Sequence, residues 1–384
     1  MKILLVSIFM PSPENRRGPS QLIFDLSRYA PCNVEIDLLV YGDESCTTPN
    51  ETHELFNEIR IIKPEKLSSI RYSVSARLPR RIYSPPGDIE YHSYDLIWLY
   101  QEWLYYEYKK IHSNVLVTGM DCSVMLYSRS LLKNPLYRSL SMFFKVLRSL
   151  HLENCIGQGH CFHTVGEFDL SFFKRINKRA SAFYSPHPLP SYRVNKKSTF
   201  NEREVATIAL TGGFSKFYHG NLIHQILRVF EKRKKLDKLR WFFLGKGWEF
   251  AANRLRLVGY EVEHETWVED YQSFMDEVDI HLVPIQVGAG TKGKVLHSVA
   301  SGIVTLGSGY AYENILDSQD SPLVFRNAIE VHSRILQFIE DRKTFTSVTA
   351  EIADYTRDCF EPGTAVQLFW DNVMAYLSHK PSEG

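Results

Sequence analysis

The stretch most able to do chemistry is VPIQVGAGTKGKVLHSVASG, residues 283–302. Gly288, Gly290 and Gly293 free the backbone to wrap closely around a ligand. A helix predicted over 294–301 points its amide-rich, partly positive end at whatever the loop holds. Lys292 and Lys294 add two cations beside it. Free amides and positive charge at a helix start suit phosphate. A glycine-rich connection with solvated lysines is the alternative reading of the same residues.

Such a loop needs a sheet behind it. Beyond residue 205, strand-length apolar runs fall at 206–210, 239–244, 262–265, 280–283 and 303–306. Helical stretches at 221–233, 248–258, 271–277 and 294–301 separate them. This alternation predicts a doubly wound parallel sheet. Its ligand site should lie off the carboxyl ends of the strands, where the loops after Leu210, Leu244 and Val283 converge. Glycines mark two of those loops, at Gly212 and Gly213 and at Gly245 and Gly247.

The first half has the same architecture. Strand runs occur at 2–9, 34–40, 95–99, 114–118 and 161–165, and continuous apolar strands imply helices on both faces. A loop at 10–19, holding Pro11, Pro13, Gly18 and Pro19, leads to a helix capped by Ser20. A long helix is expected over 132–150. The proline-rich and then polar stretch 184–203 reads as an inter-domain linker.

A chain of 384 residues suits two domains. Its net charge of +1 argues against a bulk nucleic-acid binder, although residues 57–150 carry fourteen basic against eight acidic side chains. Six cysteines without a CxxC pair fit free thiols in a reducing compartment. The apolar start is strand-length and lacks a cleavage site, and no stretch reaches the ~20 apolar residues of a membrane span. The expected location is the cytoplasm, including the inner face of the cell membrane. The basic stretch 71–81 and the helix over 132–150 mix Arg and Lys with Tyr, Phe, Leu and Met, a combination able to hold anionic lipid headgroups. A solvated basic face is the ordinary alternative.

The 283–302 segment resembles the donor-site signature of GT-B glycosyltransferases, especially glycosyltransferase family 4, which commonly read P-x-x-x-G-x-G-x-x-x-K-x-x-E-x-x-A-x-G. Pro284, Gly288, Gly290, Lys294, Ala300 and Gly302 fall in that register, with His297 at the glutamate position. Gly212 and Gly213, Gly245 and Gly247, and Asp279 fit the surroundings. The resemblance covers residues 205–308 well and the first half only in architecture. It implies a GT-B fold, two Rossmann-like doubly wound domains facing each other across a cleft. An acceptor domain over 1–190 and a donor domain over 191–361 follow, with a C-terminal helix at about 362–384 packing back on the first.

The resemblance puts Lys294 on a donor diphosphate beside the Gly290 and Thr291 backbone, with Gly213 and Gly245 in the neighbouring loops and Lys216 as a second cation. Val268 and the Trp267 ring become base contacts, and His297 a ribose contact through its imidazole. Lys216 as a surface lysine and Trp267 as a core residue are the competing readings. Many retaining members carry two glutamates in this loop; here those positions hold Ala289 and His297, so the usual retaining acid is missing.

By the same resemblance the first domain supplies the acceptor side, with Gly18 in its first loop and a general base from a strand end. Asp121 and Glu102 are the candidates; their ordinary alternatives are a helix N-cap and a solvated loop acid. Cys155, His160, Cys161 and His163 lie close in sequence, but their spacing suits cleft-lining histidines better than zinc.

The implied activity is transfer of a sugar from a UDP- or GDP-type donor to a glycan or lipid-linked acceptor in surface polysaccharide or glycoconjugate synthesis. No metal, organic cofactor or nucleic-acid partner is required. A nucleotide-sugar epimerase and a non-catalytic binding module are the alternatives, the latter kept open by Ala289.

Overall fold

A computed structural model describes residues 1–13, 18–42, 49–66, 81–133, 136–190, 192–194, 205–316 and 320–379. The chain divides into two compact units, Met1–Pro188 with Phe360–Gly384, and Leu189–Cys359.

The first unit is built on a seven-stranded sheet in the order β3-β2-β1-β6-β7-β8-β9. Its strands are β1 (Lys2–Ser7), β2 (Glu35–Tyr41), β3 (Ile59–Ile62), β6 (Leu96–Tyr100), β7 (Val115–Thr118), β8 (Cys161–Thr164) and β9 (Ala182–Tyr184), all parallel. A separate antiparallel pair joins β4 (Glu65–Lys66) to β5 (Arg81–Ile82). In β6 the run LIWLY is buried at every position, because helices cover both faces. The helix Pro362–His379 contributes Val366, Phe369, Trp370 and Val373 to the core around β1, β2 and β6. The Trp370 indole donates to the Leu26 carbonyl at 2.9 Å and packs edge-on to Trp98.

The second unit carries a six-stranded parallel sheet in the order β12-β11-β10-β13-β14-β15. The strands are β10 (Ala206–Thr211), β11 (Leu239–Leu244), β12 (Glu261–Glu265), β13 (Ile280–Val283), β14 (Val304–Ser308) and β15 (Val324–Phe325). Central β10 is buried throughout, whereas β12, EVEHE, alternates exposed and half-buried as a sheet edge with one wet face does. The order steps from β10 out to β12 on one side and to β15 on the other. That reversal of direction beside β10 is the switch point at which open α/β sheets bind ligands.

Several expectations need correction. The stretch expected as one helix over 132–150 falls on two helices, Ser123–Lys133 and Leu136–Gly159. The first helix is Gly18–Arg28, so Gly18 opens it instead of lying in the loop, and Ser20 falls inside it, not at its cap. The basic stretch 71–81, apart from Arg81, and, within the 184–203 linker, residues 191 and 195–203 lie outside the described residues.

Candidate functional site

Three loops meet at the carboxyl ends of β10, β11 and β13. Phe214 donates its amide to the Lys246 carbonyl at 2.8 Å, and Trp248 donates its indole N–H to the Gly212 carbonyl at 2.7 Å. Gly245, at φ +131°, packs so tightly that a Cβ there would lie 2.5 Å from the Gly212 carbonyl carbon and oxygen. Both glycine loops are therefore one backbone surface, and Gly213 and Gly245 are brought together. The β13 loop joins them: Gln286 donates its amide to the Tyr218 carbonyl at 2.7 Å and accepts the Leu222 amide at 3.1 Å.

The helix Gly293–Ala300 starts at this junction. Lys294 is half-buried, and its Nζ donates to the Thr211 carbonyl at the end of β10. Burial, with Lys292 next to it, pushes the Lys294 ammonium pKa down to about 8. The second cation behaves differently. Lys292 Nζ donates to the carbonyls of Ala289 and Gly290, so it staples the loop from within and does not offer its charge outward. The two lysines, alike in sequence, are thus one structural and one placed toward the glycine surface. Thr291, immediately before Lys292, is buried, 9% exposed.

His297 lies one turn on, 3% exposed, sharing a hydrogen bond between Nε2 and the Gln272 side-chain oxygen at 3.0 Å. Burial depresses its pKa to about 4, so it is neutral at physiological pH. His219 flanks the site from the other side; burial and the Lys294 charge depress it to about 4 as well. Sequence reasoning passed over His219, Gln272, Gln286 and Thr211, because nothing in their spacing says which strand end they will face.

Lys216 is exposed at the start of a short helix capped by Ser215, in the loop just after Gly213. Trp267 is 63% exposed, which removes the core reading of that ring. Val268 beside it is half-buried. Their segment leaves β12 next to Gly245, whose amide donates to the Glu265 carbonyl at 2.8 Å. The sequence candidates Gly213, Lys216, Gly245, Trp267, Val268, Gly290, Thr291, Lys294 and His297 therefore all belong to the strand-end loops and helix start of the second unit.

In the first unit the two acids part company. Gln101 takes φ +102°, and the turn Glu102–Leu104 that follows drives Glu102 inward. Its carboxyl accepts the Ser123 hydroxyl at 2.5 Å, and burial raises its pKa. It is neither a solvated loop acid nor a carboxylate turned toward solvent. Glu153 lies near it, held by the Val124 amide and the Cys122 thiol, with its pKa raised to about 8 by burial. Asp121 instead stays half-buried past the end of β7, close enough to Tyr100 to raise the phenol's pKa further above its burial shift. Tyr100 donates to the Pro19 carbonyl at 2.8 Å, so Asp121 and Gly18 share the strand-end side of this sheet.

His163 departs from expectation. It is fully buried, bonded through its ring to Thr118 and Ser185, and stacked on Phe183, so it is a core residue and lines no cleft. His160 pairs with the Tyr105 hydroxyl at 2.9 Å.

Solved structures share this architecture. HepE from Anabaena, in complex with UDP-glucose, matches with a TM-score of 0.68 at 12% identity, covering 98% of this chain and 100% of its own. WaaG, a glycosyltransferase involved in lipopolysaccharide biosynthesis, matches at 0.61 and 10% identity over 95% of this chain and 99% of its own. TarM matches at 0.67 and 6% identity, covering 97% and 98%. No protein-family model matches the sequence, and no curated protein matches it at the sequence level. At these identities the likeness is one of fold, and the chain has the two-domain, Rossmann-like GT-B fold.

Proposed function

We propose that the chain is a glycosyltransferase that binds a nucleotide-diphosphate sugar in its second unit and passes the sugar to a glycan or lipid-linked acceptor. The observation that carries the reading is the Lys294 ammonium at the head of the Gly293–Ala300 helix, set against the Thr211 carbonyl where the Gly213 and Gly245 loops join. A diphosphate placed there meets a helix amide end, Lys294 and, from the exposed side, Lys216. Those charges offset the negative charge that grows on the leaving diphosphate, so the proposal calls for no metal or organic cofactor. The base lies over the exposed Trp267 ring and the Val268 backbone, and the ribose faces His297. The UDP complexes of HepE, a protein of the same fold, support a uridine donor; a guanosine donor uses the same contacts.

In transfer, an acceptor hydroxyl oxygen attacks the anomeric carbon, the bond from that carbon to the diphosphate breaks, and the diphosphate leaves with the electron pair. The hydroxyl proton needs a base. Asp121, half-buried at the strand ends of the first unit, suits that role better than Glu102, whose carboxyl is committed to Ser123.

The acceptor side is proposed to lie at the inner surface of the cell membrane, in surface-polysaccharide or glycoconjugate synthesis. Between residues 122 and 152 the sequence has five basic residues and no acid; Lys133 is exposed and Arg129 and Lys145 are half-buried, whereas Arg148 is buried. On the two helices that span this stretch, Leu132, Leu140 and Phe143 are 85%, 66% and 47% exposed. Basic charge beside exposed apolar side chains matches an anionic lipid surface. No helix among the described residues is long and apolar enough to cross a membrane.

The test is product analysis with UDP-sugars, with and without a lipid-linked saccharide acceptor. Transfer requires acceptor-dependent release of UDP. A changed sugar released without acceptor identifies an epimerase. Donor binding with no turnover in either case identifies a binding module.

A further inference from the structure

Behind Lys294 lies a histidine that the donor reading does not use. His281 stands in β13 with no exposed surface, and both ring nitrogens are engaged. Nδ1 is 2.6 Å from the Ser298 hydroxyl and Nε2 is 3.0 Å from the Thr211 hydroxyl. A polar ring in the middle of a buried strand costs stability unless both nitrogens are paired, and an aliphatic residue would serve the sheet as well.

One carbonyl fixes the direction of every bond in the chain. Ser298 Oγ lies 2.8 Å from the Lys294 carbonyl, which can only accept, so the Ser298 proton goes there. The Ser298 oxygen must then accept from His281, and Nδ1 carries the hydrogen. Burial and the Lys294 charge keep the ring neutral, which leaves Nε2 bare to accept the Thr211 proton. The Thr211 oxygen in turn accepts from the Tyr271 phenol at 3.3 Å. Both ends of the chain reach Lys294. One is its own backbone carbonyl, and the other is Thr211, whose carbonyl receives the Lys294 ammonium at 3.3 Å.

We propose that His281, as the Nδ1–H tautomer, is the positioning residue that aims Lys294 at the donor diphosphate; this rests on the donor reading above. A lysine is a point charge on a flexible four-carbon stem. Its reach is set by where the stem starts and where the ammonium is held, and His281 ties both points to the sheet. Supporting residues of this kind decide whether a site is held tightly enough to bind.

The experiment combines histidine-selective 15N NMR with UDP titration calorimetry on the full chain. The His281 signals are those lost in His281→Phe and displaced in Ser298→Ala. The expected result is a protonated Nδ1 and a bare Nε2 in the wild type. UDP affinity should fall on the order of tenfold in His281→Phe. His281→Asn, whose side-chain N–H can stand where Nδ1–H stood, should recover most of it. A protonated Nε2, wild-type affinity in His281→Phe, or no recovery in His281→Asn overturns the proposal. If His281→Phe does not fold, Ser298→Ala takes its place, with weaker UDP binding expected and unchanged binding refuting. A wild type that binds none of UDP, GDP, TDP and CMP ends the donor reading itself, and this shows before any variant is titrated; if another of the four binds in place of UDP, that nucleotide is the one titrated.

Discussion

Gly245→Ala is the sharpest probe of the joined loops. At φ +131° an alanine is strained whatever the space around it, at a cost of about 1–3 kcal/mol. Its methyl carbon would also lie 2.5 Å from two atoms of Gly212 and 2.9 Å from the Gly213 nitrogen. Those are backbone atoms, and the Trp248 indole holds the Gly212 carbonyl in place, so they cannot swing aside as a side chain would. Relief requires moving a whole loop, at roughly another 1–3 kcal/mol. The sum is near ~4 kcal/mol, or a drop of about 10 °C in the melting temperature of a domain this size. Gly212→Ala is the control. Its φ is +84° but no atom lies within 4 Å of the added carbon, so it should carry strain alone and lose a third to a half as much. Differential scanning calorimetry of the two variants reads the difference, and UDP affinity should collapse only in Gly245→Ala. Equal melting temperatures for the two would show that the loops do not touch as described and refute the reasoning.

Other expectations concern charge and exposure. With its pKa near 8, Lys294 should lose its ammonium as pH rises through that value, so UDP affinity should weaken between pH 7.5 and about 9. Lys294→Arg should flatten that limb; a wild-type affinity independent of pH over the range contradicts the assignment. Glu153 is held protonated in the folded state up to about pH 8 but ionises near its usual value when unfolded, so it removes stability as pH rises from about 4.5 to 8. Glu153→Gln should therefore raise the melting temperature relative to wild type more at pH 8 than at pH 5, and an equal change at both would count against a protonated carboxyl. Trp267→Ala should alter stability by less than about 0.5 kcal/mol, because the ring is exposed. It should also weaken UDP binding by at least fivefold through lost stacking of about 1–3 kcal/mol; unchanged affinity by calorimetry removes the ring from the site.

Much of the second unit could be read from the sequence because its strands are long apolar runs and its loops are marked by glycine. β11 and β13 were legible to the residue, and the helix after the 288–293 loop to within one. β9 and β15 were missed because they are three and two residues long, too short for a periodic signal, and β3, as long as β13, because Arg60 interrupts its apolar run. The differing roles of Lys292 and Lys294 were not legible either. Both are lysines beside a helix start, and only the backbone's path sends one onto the Ala289 and Gly290 carbonyls and the other to Thr211. Glu102 misled for a similar reason. Its burial follows from the left-handed turn at Gln101, a non-glycine residue that carries no local sign of that conformation.

The most direct measurement of the central claim is calorimetric titration of wild type and Lys294→Ala with UDP, GDP, TDP and CMP. One nucleoside diphosphate should bind the wild type, and Lys294→Ala should lose at least tenfold in affinity for it while keeping its melting temperature within a few degrees, since loss of a charged hydrogen bond to phosphate is about 1.5–3 kcal/mol. Binding that survives Lys294→Ala unchanged, or no binding of any of the four by the wild type, would contradict the donor site described.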